Sequence, residues 1–239
     1  MRKGKRKTYE SHLKFLYFSK FETMRYNFSD THSVVNKLIA EMRNQEIQED
    51  RMRFRLNMER LGLIMGYEIS KTFAYSEAEI STPLGLADMA LPDERIVIAG
   101  ILRAALPFQN GLLSCFDDAD CAFISSYRKH HKGGQFEVSL EYVTCPDITD
   151  AQVIVADPMV ATGSSIESGL DALLEYGDPK EIHLATVIGS QNGLDYIQRK
   201  CPNVHQWVGA IDDELTARSY IVPGLGDAGD LAYGPKLQE

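Results

Sequence analysis

The stretch from Val153 to Leu174, VIVADPMVATGSSIESGLDALL, constrains this chain more than any other segment. Val153 to Ala156 is an apolar run rich in β-branched residues, and it reads as a strand buried in a parallel sheet. Asp157 and Pro158 end it, and small residues follow from Ala161 to Ser165. Ile166, Leu170, Leu173 and Leu174 then recur at helical spacing. A strand, a small-residue turn and a helix start aim several backbone N–H groups and the positive end of a helix dipole at one spot, which suits a phosphate. Gly163 lets the backbone approach closely, and Thr162, Ser164 and Ser165 add hydroxyls. Asp157 stands where it can accept hydrogen bonds from sugar hydroxyls or help hold a cation. On the turn alone, an ordinary strand-to-helix connection with a serine cap fits equally well. No Gly-Lys-Ser or Gly-Lys-Thr follows, so the segment is not a P-loop.

At 239 residues the chain is long enough for one α/β domain with a full core. Hydrophobic content of 44% and charged content of 25% are those of a soluble globular protein, and no run reaches the length of a membrane span. MRKGKRK is basic, but Lys14 and Lys20 break the segment after it, which argues against a signal peptide. Residues 1–27 read as an N-terminal tail. The four cysteines show no CxxC spacing and read as the reduced thiols of a cytoplasmic protein, not as a zinc site. The net charge of −9 argues against a nucleic-acid partner and against long-range attraction of an anionic substrate. An anion must instead be held by backbone N–H groups, a few placed arginines and a divalent cation.

Along the chain, Thr31 to Asn44 and Arg51 to Tyr67 read as helices, the first capped by Asp30. Ile80 to Asp93, with Pro83, Gly85 and Pro92, reads mostly as loop. Strands are expected at Ile96–Ala99, Cys121–Ser125, Val153–Ala156 and Ile182–Ile188, with helices at Leu106–Phe116, Ser165–Tyr176 and Gln191–Lys200. Lys129 to Pro146 holds no good helix, and Gly133 and Gly134 favour a turn. This alternation predicts an α/β fold with a mostly parallel twisted sheet flanked by helices, and ligands beyond the carboxyl ends of its strands.

Three further segments follow strands. Gly100 to Leu106, GILRAAL, puts Arg103 at a strand end, where a guanidinium fork suits a diphosphate; by itself it reads as a surface arginine opening a helix. Tyr127 and Arg128 lie just past the strand ending at Ser125, and Lys129, His130, His131 and Lys132 extend the charge as a solvated basic loop. Ser219 to Asp230, SYIVPGLGDAGD, contains a formal GxGxxG string, but only ten residues remain after Gly229, too few for a dinucleotide fold. Its flexible backbone suits wrapping a small flat ligand with an amide-like edge.

These motifs resemble those of the uracil phosphoribosyltransferase family. The Asp-Pro-Met-x-Ala-Thr-Gly-x-Ser run is similar to its phosphoribosyl-diphosphate loop, GILRAAL to its diphosphate-binding Ile-Leu-Arg-Ala-Gly-Leu, Tyr127-Arg128 to its Tyr-Arg pair on a mobile loop, and YIVPGLGDAGD to its uracil-binding hood. Leu38 to Arg43, Phe54-Arg55, Tyr67-Glu68 and Thr82 to Leu84 match in the family's order, so the resemblance runs from about Thr31 to the C-terminus. It implies a phosphoribosyltransferase unit over residues 28–239 whose hood begins at about 209. It also implies transfer of phosphoribosyl from 5-phospho-α-D-ribose 1-diphosphate to N1 of uracil. The donor would be held by Arg103, Arg128, Asp157, Pro158, Met159, Val160, Ala161, Thr162, Gly163, Ser164, Ser165 and Asp227. Uracil would be held by Ile221, Gly226, Asp227 and Ala228, mostly through backbone atoms. Arg103, Arg128 and Asp227 would carry catalysis, with Mg²⁺ bound mainly through the diphosphate. Family members are often activated by GTP and assemble as dimers or higher oligomers, and the resemblance extends both expectations here.

Departures are Ala105 and Ser164 where the family has glycine, Leu56 for a glutamate, and Leu231, Tyr233, Gly234 and Pro235 after the hood's last aspartate. If the first glycine needs an unusual backbone angle, Ala105 strains its loop. A catalytically weak, nucleotide-sensing regulator on the same fold is the alternative reading.

Overall fold

The computed structural model describes residues 24–130 and 136–237. Its central sheet has eight strands: β1 (Arg25–Asn27), β4 (Ile96–Leu102), β5 (Asp120–His130), β6 (Phe136–Thr144), β7 (Gln152–Ala156), β8 (Met159–Val160), β9 (Glu181–Ser190) and β10 (Val204–Asp212). The order is β1-β10-β9-β7-β4-β5-β6, with β8 also paired to β9. Every pairing is parallel except β5 with β6. Two hairpins stand apart: β2 (Tyr75–Thr82) with β3 (Gly85–Pro92), and β11 (Glu214–Leu215) with β12 (Ile221–Val222).

Helices cover both faces, as a parallel sheet requires. Alternate strand residues point to opposite faces. Ile96, Ile98, Ile154, Ala156, Ala185 and Val187 belong to one cluster with residues of α1 (Val34–Arg43), α2 (Arg51–Ser70) and α3 (Ala105–Leu113). Val97, Ala99, Val153, Val155 and Leu184 belong to the other, with α4 (Ser164–Leu173) and α5 (Gln191–Lys200). A short sixth helix, α6 (Ala228–Tyr233), closes the chain over the first face through Ala228 and Ala232. The α2–α3 contact is close: a Cβ on Gly62 would strike the Phe108 carbonyl, and one on Gly111 the Glu59 carbonyl.

Several expectations are corrected. Ser33, not Asp30, caps α1: its hydroxyl accepts from Val35 N, and Asn36 Oδ1 accepts from Ser33 N at 2.9 Å. Residues 25–27, read as tail, form the edge strand β1 on β10. The segment from Ile80 to Asp93, read as loop, lies largely in the β2–β3 hairpin. Pro83 and Leu84 occupy its two-residue turn, so proline costs no ladder bond there. Both faces of the hairpin are open, so no burial pattern marks the strands. Strand β5 runs five residues past Ser125, and there it pairs with β6 alone. Tyr127 and Arg128 thus lie on a two-stranded arm, with Arg128 opposite Val138, and not on a loop. A bulge at Ser125/Ser126 interrupts the alternation that would have shown the extension. Gly133 and Gly134 fall outside the described residues.

The amino edge of the sheet holds a polar network. His183 on β9 is fully buried; its Nε2 bonds Gln152 Oε1 at 3.0 Å, and Trp207 Nε1 donates to its Nδ1 at 3.2 Å. Both bonds require the neutral ring protonated on Nε2. Burial, with the stacked His205 ring 5.2 Å away, holds the His183 pKa down to about 3. Between pH 6.5 and about 3 the unfolded chain therefore binds a proton that the folded protein excludes, and stability falls as the pH is lowered. Urea unfolding at pH 7 and pH 5 is expected to show a loss for the wild type about 2 kcal/mol larger than for His183→Gln.

Candidate active site

Strand register gathers the predicted segments at one edge. Gly100 on β4 pairs with Ala156 on β7, so Arg103 and Asp157 follow at the same carboxyl end. Asp157 Oδ1 accepts from Met159 N at 3.2 Å, and the Pro158 carbonyl accepts from Val187 N and Ile188 N. The chain then adds to β9 as the two-residue strand β8 before turning into α4. Met159 and Val160 are thereby tied to the sheet.

The turn itself is shaped by ordinary parts. Gly163 caps α4 at φ +84, in the left-handed region, and its Cα faces Gly193 O, Tyr196 and Ile197. A Cβ there would lie 2.9 Å from Gly193 O, so glycine is required by both angle and space. The Ala161 carbonyl is held by Ser190 Oγ, which also accepts from Gly193 N at 2.9 Å. Thr162 Oγ1 lies 3.1 Å from Ser164 Oγ and accepts from Ser164 N at 3.4 Å. The first amides of α4 have no partner within the helix and face the turn. Ser164 is the first helical residue, so a side chain there meets no backbone penalty.

Arg103 and Asp227 both approach Gly229 of α6. Arg103 Nη2 donates to Asp230 Oδ1 at 2.6 Å and to the Gly234 carbonyl at 2.9 Å. Asp227 caps α6: its Oδ1 accepts from Asp230 N at 3.0 Å, and Lys236 Nζ lies 3.3 Å from its Oδ2. Gly229 stands between the two side chains, for a Cβ on it would be 3.2 Å from Asp227 Oδ1 and 3.4 Å from Arg103 Nε. Burial pushes the Asp227 carboxyl up, but the Asp230 and Gly229 amides and the Lys236 ammonium outweigh it, and the net shift is downward. Asp227 is an anion at neutral pH. Arg55 fastens the same helix by donating to the Ala232 carbonyl at 2.6 Å.

Ile221 and Ala228 are buried, and Gly226, at φ +95, is exposed between them. Of the sequence-predicted residues, Arg103, Asp227, Ala228 and Gly226 are brought together around α6, and Asp157 to Ser165 line the adjacent strand end. The backbone of Arg128 lies on the arm that leaves this same edge beside β4, since Leu102 pairs with Ser125. Sequence reasoning did not single out Asp230 or Lys236; both partner motif residues, but only the fold shows it. Among the described residues, no three His, Cys, Asp or Glu side chains gather as a cation site.

Ala105 does not strain its loop. It is the buried first residue of α3, after Ala104 in ordinary helical geometry at φ −64 and ψ −26. Alanine stabilises this position, so Ala105→Gly is expected to lower unfolding free energy by about 0.5–1 kcal/mol in urea titrations and to bring no gain in turnover.

The uracil phosphoribosyltransferase family model matches residues 29–235. A uracil phosphoribosyltransferase of Porphyromonas gingivalis is 51% identical over 207 residues, 86% of this chain and 96% of that protein. One from Pyrococcus furiosus is 38% identical over 216 residues, 89% of this chain and 91% of that protein. The solved structure of the AQ2163 protein from Aquifex aeolicus superposes with a TM-score of 0.79 at 28% identity, covering 90% of this chain and all of that one. With its own motifs assembled at one sheet edge and relatives matched along nearly their whole length, this chain belongs to the uracil phosphoribosyltransferase family.

Proposed function

We propose that this protein joins N1 of uracil to C1′ of 5-phospho-α-D-ribose 1-diphosphate, giving UMP and diphosphate in pyrimidine salvage. The N1–C1′ bond forms, the bond from C1′ to the diphosphate oxygen breaks, and the N1 proton is released. The observation that carries this reading is Gly229 standing between Arg103 and Asp227, which sets a diphosphate-binding cation beside the segment assigned to the base.

Such a displacement develops positive charge on the ribose and negative charge on the leaving diphosphate, so positioning and charge stabilisation supply most of the catalysis. In this reading Arg103 holds the leaving group with Nε and Nη1, while Asp230 keeps its Nη2. Arg128 adds a second cation from the β5–β6 arm. Ala161 to Ser165 grip the 5′-phosphate, with Asp157, Pro158, Met159 and Val160 beneath the ribose. Ile221, Gly226 and Ala228 hold uracil through backbone groups. A carboxylate with a lowered pKa and a capping bond is a poor proton acceptor, so Asp227 serves to orient the base and oppose the ribose cation. Mg²⁺ would be held mainly through the diphosphate, with the Asp157 carboxylate the hard oxygen donor at the same strand end. When bound, Mg²⁺ neutralises charge on the diphosphate.

The finer setting follows the same reading. Residues 28–239 act as one unit with the hood from about 209. GTP acts as an activator, and the protein works in the cytoplasm, consistent with four unpaired thiols. No helix among the described residues is long and apolar enough to cross a membrane. A homodimer or higher oligomer is supported by the β2–β3 hairpin, which exposes Leu84, Leu86, Met89 and Leu91 without cover from its own chain. Leu86→Glu with Met89→Glu is expected to lower the mass seen in sedimentation; an unchanged mass removes the hairpin from assembly.

Diphosphate release with Mg²⁺ and donor is expected with uracil and not with orotate, hypoxanthine or adenine. Release with none of the four would favour the regulator. Asparagine caps helices as well as aspartate does, so Asp227→Asn removes the charge while keeping the cap. It is expected to cut kcat roughly 10²-fold with little change in stability; near-normal turnover would take Asp227 out of the mechanism.

A further inference from the structure

The base-binding hood is pinned to the far end of the chain by one ion pair. Arg43, the last residue of α1, faces Asp212, the last residue of β10. The contact is bidentate, with Nη1 to Oδ2 at 2.8 Å and Nη2 to Oδ1 at 2.7 Å. The Asp212 side chain is only 6% exposed. The same two groups grasp both polar atoms of Gly224: Asp212 Oδ2 accepts from Gly224 N at 2.9 Å, and Arg43 Nη1 donates to Gly224 O at 3.0 Å. Gly224 adopts φ +60, and a Cβ there would strike the Ile221 carbonyl. The Gln48 amide, oriented nitrogen inward, adds bonds to Met42 O at 3.0 Å and Leu225 O at 2.8 Å. Both polar atoms of a single residue are thus fixed by a partly buried, charge-assisted ring.

We propose that Arg43 and Asp212 are positioning residues for the pyrimidine. Gly224 lies between Ile221 and Gly226, which the functional reading above assigns to uracil, and this inference rests on that reading. Recognition through backbone groups has no side-chain rotamer to absorb an error, so the orientation of the loop decides whether donors and acceptors meet the base. A displacement of about 1 Å is enough to cost affinity and rate. Arg43 and Asp212 touch neither the 5′-phosphate cradle nor Arg103, so their influence falls on the base and spares the donor.

Steady-state kinetics of Arg43→Lys and Asp212→Asn test this. Lysine keeps the charge and loses the fork; asparagine keeps an acceptor and loses the charge. Each is expected to raise KM for uracil roughly 10- to 100-fold, the loss of a charge-assisted hydrogen bond, while KM for the donor stays within about twofold. A purely structural role would lower the folded fraction and kcat with both KM values unchanged, and that result overturns the proposal. Should both variants fail to fold, amide hydrogen exchange on the wild type decides: strong protection of the Gly224 amide in the ligand-free protein is expected, and fast exchange overturns it. Wild-type turnover of uracil is measured first. Its absence sinks the functional reading, whereas normal wild-type turnover with unaltered variants sinks only the positioning role.

Discussion

Gly100 pairs with Ala156 in the middle of a sheet buried on both faces, and that register sets where everything else can act. β4, β7, β9 and β10 are parallel, so their carboxyl ends open on the same side. Arg103 follows β4, the small-residue turn follows β7, and the bulk of the hood follows β10, so these three segments converge on that side. A slip of one residue would turn every side chain to the opposite face and exchange the two cores. Ile98 and Ile154 face the α1–α3 layer while Val97 and Val155 face α4 and α5, so such a slip is strongly opposed by packing on both sides.

The hood cannot stand alone. Its helix α6 has only six residues, too few for stability without tertiary contacts. Arg55 from α2, Arg103 from the end of β4 and the apolar packing of Ala228 and Ala232 hold it down. Arg43 and Asp212 fix the loop before it. Arg103, the cation beside the hood, is thereby placed by another part of the fold. Leu231 packs beside Gly226 and against the core.

How legible these features were depended on where their cause lies. The Val153–Leu174 run could be read because a strand, a turn needing glycine and an amphipathic helix all leave local marks. The β2–β3 hairpin left none: with both faces open to water there is no alternation to see, and Pro83 and Pro92 spoke for loop although one sits in the turn and the other at the strand end. The extension of β5 was hidden by a bulge and by charged residues on a two-stranded arm. Ala105 shows the reverse error, a local rule applied to a position whose helical backbone needs no glycine.

The amino-acid sequence by itself determined the strand–helix alternation, the small-residue turn before α4 and the motifs that carry the family resemblance, because these follow from side-chain size, backbone freedom and hydrogen bonding within a few residues. Only the tertiary structure decided that Asp230 and Gly234 would take Arg103, and that Arg43 would meet Asp212 at a separation of 169 residues. Such pairs have no local signature: they arise where the sheet register and the packing of α1, α2 and α6 bring distant chain ends together, and the Asp212 carboxylate, only 6% exposed, needs its partner there.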